Sequence, residues 1–154
     1  MKMVRLLLLA VSLVSALTLA ACGGGGGGAT AGGPLAVSAD GENLAYKPAA
    51  LTAKAGAPVT VDFNNVSTAQ QHNWVLVKGG DDVAGKVDEG AITAGAPDYI
   101  PADKADIVAN SKILAPGGKE TITFTAPAAG TYTYLCTYPG HYAAGMKGTL
   151  TVAP

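Results

Sequence analysis

The sequence is poor in charge, in aromatic side chains and in cysteine. Charged residues make up 14% of the 154 residues and aromatic residues 6%, and there are only two Cys and two His. Two cysteines cannot build a disulfide-dense scaffold. Eleven acidic against ten basic residues give a formal net charge of −1, so the chain lacks the basic footprint of a nucleic-acid-binding protein. Low charge and a 49% share of hydrophobic residues also argue against a disordered chain.

The first 21 residues have the pattern of an export signal. Lys2 and Arg5 precede an uncharged, mostly apolar run over residues 6–21 that ends in small residues. This run is shorter than the roughly 18–20 apolar residues of a membrane span. Residues 19–22, Leu-Ala-Ala-Cys, resemble a bacterial lipobox, which predicts that Cys22 is lipidated. An ordinary signal peptide with a chance Cys and an uncleaved anchor are the alternatives.

A glycine-rich segment follows the candidate lipidation site. Residues 23–28 are six consecutive Gly, and the Gly- and Ala-rich composition continues to Pro34. Since Gly has the most backbone entropy to lose on folding, this segment is predicted to be a flexible tether. The sequence therefore divides into a signal peptide over 1–21, a lipid-anchored tether over 22–34 and a globular domain over 35–154. This division predicts an exported protein, anchored to the outer, periplasmic face of the cell membrane.

From residue 35 onward the sequence predicts an all-β fold. Apolar and polar residues alternate over Val59–Phe63, Thr121–Thr125 and Thr149–Val152, as in strands with one buried face. Five further β-rich runs bring the predicted strands to eight, which favours a β-sandwich or barrel: Leu35–Ala39, Leu51–Ala53, Asn73–Val77, Lys112–Leu114 and Thr131–Cys136.

The stretch from Asp81 to Ser111 breaks this pattern. It is rich in Asp, Ala and Gly and shows no period of two, which indicates a flap or a long crossover. Within it, residues 101–109 are predicted to form a short helix, with Pro101 in its first turn.

Apart from the candidate lipidation site Cys22, four side chains that bind soft or borderline metals remain after signal removal. Cys136, His141 and Met146 are spaced Cys-x4-His-x4-Met, and His72 lies at the head of another predicted strand. A thiolate, two imidazoles and a thioether are the donors of a blue-copper site, in which the thioether is a long axial ligand. Pro139-Gly140 can turn the chain so that His141 returns toward the sulfur. The pattern predicts one copper ion, cycling between Cu(I) and Cu(II).

Other interpretations of these residues remain open. A buried Cys is usually a small hydrophobe, a lone Met usually fills a core, and a lone His usually has a structural hydrogen bond. Zinc is the main chemical rival, but Met is a poor zinc ligand, and structural zinc sites are usually closed by four Cys or His. A copper nitrite reductase would need a second, His-rich copper site, and a copper-storage or delivery lipoprotein would favour Met- and His-rich exposed sites. A non-enzymatic electron carrier is predicted, with copper delivery as the alternative.

Three segments together resemble the azurin-type cupredoxins: QHNWVLV over residues 71–77, DYIP over 98–101 and CTYPGHYAAGMKG over 136–148. The resemblance extends over nearly all of residues 35–154 and implies a plastocyanin-like domain, a Greek-key sandwich of about eight strands with a helical flap. The loop between His and Met is one residue longer than in azurin. Azurin's disulfide is absent, because no Cys pair remains in this domain.

The resemblance also implies roles for residues around the metal. Asn73 would tie the two ligand loops together, and the backbone N–H of Tyr138 would donate to the Cys136 sulfur and so tune the potential. The Gln71 carbonyl stands where azurin, which has Gly there, offers a weak fifth contact.

The donor set predicts a one-electron carrier, which is expected to be a monomer, and the charge balance predicts no nucleic-acid partner. The resemblance implies the redox partners. The donor would be a membrane quinol-oxidising complex, and the acceptor a cytochrome or a photosynthetic reaction centre. Electrons would leave through His141, within an apolar docking patch formed by Tyr138, Pro139, Tyr142, Ala143 and Ala144.

Two further patterns are given no functional role. The glycosylation sequon at Asn65-Val66-Ser67 is short enough to occur by chance. The acidic pairs Asp81-Asp82 and Asp88-Glu89 are predicted to lie in a solvated loop.

Overall fold

Two β-sheets packed face to face make up most of the chain that the computed structural model describes, residues 33–154. In chain order the elements are β1 (Leu35–Asp40), β2 (Asn43–Lys47), β3 (Ala50–Lys54), β4 (Pro58–Asn64), β5 (Val75–Val77), α1 (Asp81–Ala94), β6 (Ile107–Asn110), β7 (Lys119–Thr125), β8 (Gly130–Leu135) and β9 (Lys147–Ala153). One sheet has the order β2-β1-β4-β7 and the other β3-β9-β8-β5-β6. The two sheets do not close into one barrel, and the predicted all-β sandwich with a helical flap is confirmed.

Alternating side chains explain why these segments form half-buried strands. In β9 every second residue is buried, ending with Leu150 and Val152, and β4 buries Val59, Val61 and Phe63 in the same way. Side chains from both sheets meet in one core cluster, as the period of two requires. Parallel pairing joins β1 to β4 and β3 to β9, and the other strand pairs are antiparallel.

Strand β5 is buried on both faces because α1 covers its outer side. Leu76 belongs to the core between the sheets, whereas Val75 and Val77 pack with Ala84 and Val87 of α1. All three β5 residues are fully buried, so the strand shows no alternation. This packing fixes the helix against the sheet that carries the C-terminal strands.

Several element predictions were wrong in detail. The helix of the flap lies at Asp81–Ala94, and residues 101–106 are irregular, with a turn at 105–106 that leads into β6. Lys112–Leu114 is not a strand, although Leu114 makes an isolated bridge with His72. Strands β2 and β6 were not predicted, so with the loss of Lys112–Leu114 the described region has nine strands rather than eight.

The N-terminal predictions fall outside residues 33–154. These are the signal peptide over 1–21, the lipidation of Cys22 and nearly all of the tether over 22–34. No helix between residues 33 and 154 has both the length and the apolar character that a membrane-spanning helix needs.

Candidate metal centre

His72 is held in place by a short backbone bridge. It lies between β4 and β5, and its N–H donates to the Leu114 carbonyl at 3.2 Å, while the Leu114 N–H donates back at 2.8 Å. Asn65 steadies the same connection, since its amide donates to the carbonyls of Gln70 and Leu114. The imidazole is therefore carried on a segment fixed at both ends.

The C-terminal loop, residues 136–146 between β8 and β9, contains the other three predicted ligands. Cys136 directly follows β8, and its N–H donates to the Met146 carbonyl at 3.1 Å. The Met146 N–H in turn donates to the His141 carbonyl at 2.9 Å. Gly140 and Gly145 have φ values of 84° and 102°, a left-handed region that favours Gly. These turns close the loop on itself beside the end of β8.

Three potential ligand atoms converge at the buried end of this loop. The Nδ1 atoms of His72 and His141 are 3.1 Å apart. The Cys136 sulfur lies 3.9 Å from His72 Nδ1 and 3.5 Å from His141 Nδ1. His72 and Cys136 are fully buried, and His141 is 8% exposed. Met146 is fully buried in the same core cluster as Cys136. The structure thus brings together three of the predicted ligands and places the fourth in the adjoining core.

Burial sets the protonation of the metal-free site. Burial, and secondly the neighbouring imidazole, lowers the pKa of His72 to about 4, and burial also lowers the pKa of His141. Both rings are therefore neutral at pH 7, with lone pairs available to a metal. Burial raises the pKa of the Cys136 thiol to about 11, so a metal ion must displace its proton.

Asn73 joins the two ligand segments, as the family resemblance implied. Its side-chain carbonyl accepts the Thr137 N–H at 2.8 Å, and its amide donates to the Thr137 hydroxyl at 2.8 Å. Thr137 also donates to the Tyr99 carbonyl at 2.6 Å. Asn73 and Thr137 are fully buried, so these bonds are shielded from water.

Backbone N–H groups act on the Cys136 sulfur from both ligand segments. Hydrogen bonds from the N–H groups of Asn73 and Tyr138 oppose the effect of burial and lower the pKa of the thiol. The Tyr138 ring also packs 4.8 Å from the His141 ring, centroid to centroid. Gln71 directly precedes His72 and has an exposed side chain; its weak contact to the metal stays a prediction.

Sequence reasoning missed three residues that shape the site. Thr137 and Leu114 were not singled out, because a hydroxyl and a backbone bridge carry no metal signature. Tyr46 of β2 was also missed; its hydroxyl donates to the Asn73 carbonyl at 2.5 Å and lies fully within the core. All three depend on contacts between residues far apart in sequence, and no local pattern reports such contacts.

The two patterns without an assigned role have structural explanations. Asn65 of the sequon is fully buried and its amide is used in hydrogen bonds. The acidic pairs lie in α1 rather than in a loop, so that prediction was wrong. Asp81 and Asp82 occupy the first helical turn, where negative charge suits the helix dipole, and Asp88 faces inward at 8% exposure.

The donor set fits a soft or borderline metal. Two neutral imidazole nitrogens and one sulfur face one another in a buried cluster, with a thioether residue in the adjoining core. This is the chemistry of a type 1 copper centre on a β-sandwich, which defines the class of the protein as a cupredoxin. Residues 34–153 match the family of copper binding proteins described as plastocyanin/azurin. The chain belongs to this family, and its cofactor is copper.

Individual relatives agree with the family assignment. Auracyanin-A of Chloroflexus aurantiacus is 48% identical over 159 residues, covering 96% of each chain. Azurin-1 of Alcaligenes xylosoxydans xylosoxydans is 39% identical over 82 residues, which is 51% of this chain and 62% of the azurin. The structure of dithionite-reduced auracyanin from the photosynthetic bacterium Roseiflexus castenholzii aligns with a TM-score of 0.78 and 63% identity, covering 79% of this chain and 97% of that one. The predicted resemblance to azurin-type cupredoxins is confirmed.

Proposed function

We propose that this chain is a one-electron carrier whose single copper ion is bound by His72, Cys136, His141 and Met146. The observation that carries the proposal is the convergence of two Nδ1 atoms and one sulfur within a buried cluster. Bound copper supplies reversible one-electron chemistry between Cu(II) and Cu(I). The protein's own residues hold the ligand atoms in nearly the same positions in both oxidation states.

The closed ligand loop supports this function. Backbone hydrogen bonds connect Cys136 to Met146 and Met146 to His141, so the three loop residues cannot separate without breaking buried contacts. His72 is fixed independently through Leu114. A site that changes little between oxidation states exchanges electrons with a low reorganisation barrier.

Electron exit through the ring of His141 is supported by the surface around it. His141 is the most exposed of the four proposed ligands. Pro139, Ala143 and Ala144 are exposed beside it, and Tyr138 and Tyr142 are partly buried. Together these five residues form the apolar docking patch, whose small size suits a weak and short-lived complex.

The proposed partners follow from this role. The donor is a membrane quinol-oxidising complex, and the acceptor is a cytochrome or a photosynthetic reaction centre. The relative from Roseiflexus castenholzii comes from a photosynthetic bacterium, which favours the reaction centre. We further propose that the protein acts as a monomer on the periplasmic face of the membrane, anchored through Cys22. The lipobox-like residues 19–22 and the following Gly run support this anchor.

The visible spectrum of the purified, copper-loaded protein tests the proposal. An intense thiolate-to-copper band is expected for the parent and for the control variant Ser38→Ala, which removes a hydroxyl in β1 that bonds to the Lys47 carbonyl and lies outside the ligand set. Cys136→Ser should abolish the band. A colourless parent protein after addition of Cu(II) would overturn the proposed function.

Two further assays separate the carrier from its rivals. Nitrite added to the reduced protein should not reoxidise it at a catalytic rate, whereas a nitrite reductase would turn over. A modest chelator should remove copper slowly, whereas rapid loss would favour the copper-delivery alternative. Mass spectrometry of the mature N-terminus tests the lipid on Cys22, and an unmodified Cys22 would refute the anchor.

A further inference from the structure

Asp81, the first residue of α1, contacts three other segments close to the proposed copper ligands. One oxygen of its carboxylate pairs with the Lys147 ammonium, and the other accepts a hydrogen bond from the Thr133 hydroxyl at 3.3 Å. Its backbone carbonyl accepts a hydrogen bond from the Tyr142 hydroxyl at 3.2 Å. One residue at the start of the helix thus contacts Tyr142 of the C-terminal loop, Lys147 at the start of β9 and Thr133 of β8.

These contacts fall next to the proposed ligands. Tyr142 directly follows His141, and Lys147 directly follows Met146. The Lys147 ammonium also lies over the Tyr142 ring, 5.7 Å from its centroid. Asp81 therefore contacts the residue that directly follows each of the last two proposed ligands.

The carboxylate does not serve as a local helix cap. The N-cap residue is Gly80, which has no side-chain capping bond, and both Asp81 oxygens are directed to residues outside the helix. The helix itself is fixed by the packing of Ala84 and Val87 against β5 and Leu135 of β8. Asp81 thus connects the ligand loop to an element that is anchored in the core.

The ion pair is largely exposed, since the side chains of Lys147 and Asp81 are 41% and 57% accessible. An exposed pair contributes little to global stability. The contacts are better suited to limiting the motion of a loop that already folds, because each restrains one point along it.

We propose that Asp81 is a positioning residue that holds the loop of His141 and Met146 against α1 and so limits the movement of these ligands. The inference rests on the proposed function for its effect on copper. Its effect on the loop itself can be measured without any metal.

Amide hydrogen exchange of the copper-free full chain tests the restraint directly. The variants are Asp81→Asn, Lys147→Met and Tyr142→Phe, and the matched control is Asp82→Asn. Asp82 lies beside Asp81 in the first turn, and within residues 33–154 the structure shows no hydrogen bond or ion pair from it to the ligand loop. The reporters are the amides that bond within this loop: Ala144, Gly145 and Met146.

We expect these amides to exchange about two- to fivefold faster in Asp81→Asn and Lys147→Met than in the control, and by a smaller factor in Tyr142→Phe. Exchange in β4 and β7 should be unchanged. Exchange in the loop equal to that of the control would overturn the proposal. Equal acceleration throughout the protein would also overturn it, because it would indicate general destabilisation.

Copper-loaded protein gives a second readout. Asp81→Asn and Lys147→Met change the local charge in opposite directions, so electrostatics alone would shift the reduction potential upward in the first and downward in the second. A loosened loop should instead change the copper hyperfine splitting in the same direction in both variants and slow electron self-exchange severalfold in both. Unchanged spectra and self-exchange would contradict the proposal. If the parent protein binds no copper, the proposed function fails while the exchange experiment still decides the role of Asp81.

Discussion

Replacing Asn73 by Ala removes the side-chain link between the two ligand segments. Asn73 exchanges two hydrogen bonds of 2.8 Å with Thr137, one to its N–H and one to its hydroxyl. Both residues are fully buried, so water cannot take over the lost bonds. The Thr137 N–H would be left without its acceptor, whereas the Thr137 hydroxyl would keep its bond to the Tyr99 carbonyl.

The expected cost follows from this asymmetry. A buried donor left without a partner costs about 1–3 kcal/mol, and a lost hydrogen bond between neutral groups costs about 1 kcal/mol. We therefore expect Asn73→Ala to lower the free energy of unfolding by about 3 kcal/mol. Thr137→Val removes the hydroxyl but keeps the N–H bond, so it should cost less, about 1–2 kcal/mol.

Urea unfolding of the copper-free protein measures both variants and the double variant. Since the two residues share a bond, the double variant should cost about 1 kcal/mol less than the sum of the single variants. The control is Asn43→Ala, which removes an exposed hydrogen bond to Asp40 and should change the free energy of unfolding by less than about 0.5 kcal/mol. An Asn73→Ala variant as stable as this control, or strictly additive single variants, would refute the reasoning.

Further expectations concern sterics and pH. Gly148→Ala should lower the free energy of unfolding by about 3 kcal/mol, because the added Cβ would lie 2.3 Å from the Tyr134 ring. Gly85→Ala, whose Cβ meets open space in α1, should instead raise the free energy of unfolding by about 0.5–1 kcal/mol. Equal effects of the two substitutions in urea unfolding would contradict this. Burial lowers the pKa of His72 from 6.5 to about 4, so the unfolded chain binds more protons than the folded chain in this range. The copper-free protein should therefore lose stability as pH falls from 6.5 to 4. A free energy of unfolding that does not change over this pH range would contradict this. Burial raises the pKa of Asp88 above 3.8, so its contribution is present at acidic pH and is lost as pH rises through the raised pKa. Asp88→Asn should therefore gain stability relative to the parent between pH 4 and pH 7, and a constant difference would contradict this assignment.

The strands that the sequence predicted well are those with one buried face. Val59–Phe63 and Thr149–Val152 lie within β4 and β9, and each predicted range ends within two residues of the observed strand. Alternation is visible in sequence because it records a single core on one side. It fails for β5, where α1 covers the second face and all three residues are buried.

The helix was misplaced because its sequence weakens the helical signal. Ala84, Val87 and Ala91 are buried at a spacing of three and four residues, a period that could have located α1. The inward-facing Asp88 interrupts that apolar stripe, and Gly85 and Gly90 lower the helix propensity. Gly90 is explained by tertiary packing, since a Cβ there would lie 3.1 Å from Pro101.

The chemistry of the site could be predicted more fully than its geometry. Thiol, imidazole and thioether are properties of residue types, so His72, Cys136, His141 and Met146 could be selected by counting donors. The 3.1 Å separation of the two Nδ1 atoms depends on residues 69 positions apart. It depends also on Leu114 and Thr137, which hold the ligand segments through ordinary hydrogen bonds and therefore have no distinctive sequence pattern.

Burial connects the properties of the free site to its expected redox behaviour. It leaves both imidazoles neutral and raises the pKa of the Cys136 thiol to about 11, so the metal-free site carries no net charge at pH 7. With a thiolate ligand, the site carries a net charge of about +1 when it holds Cu(II) and about zero when it holds Cu(I). A buried environment disfavours the more highly charged Cu(II) state. Hydrogen bonds from the N–H groups of Asn73 and Tyr138 to the sulfur stabilise negative charge on the thiolate, and so weaken its donation to the metal. Both effects would favour the reduced form, so we expect the same burial that excludes water from the ligands to raise the reduction potential of the copper-loaded centre.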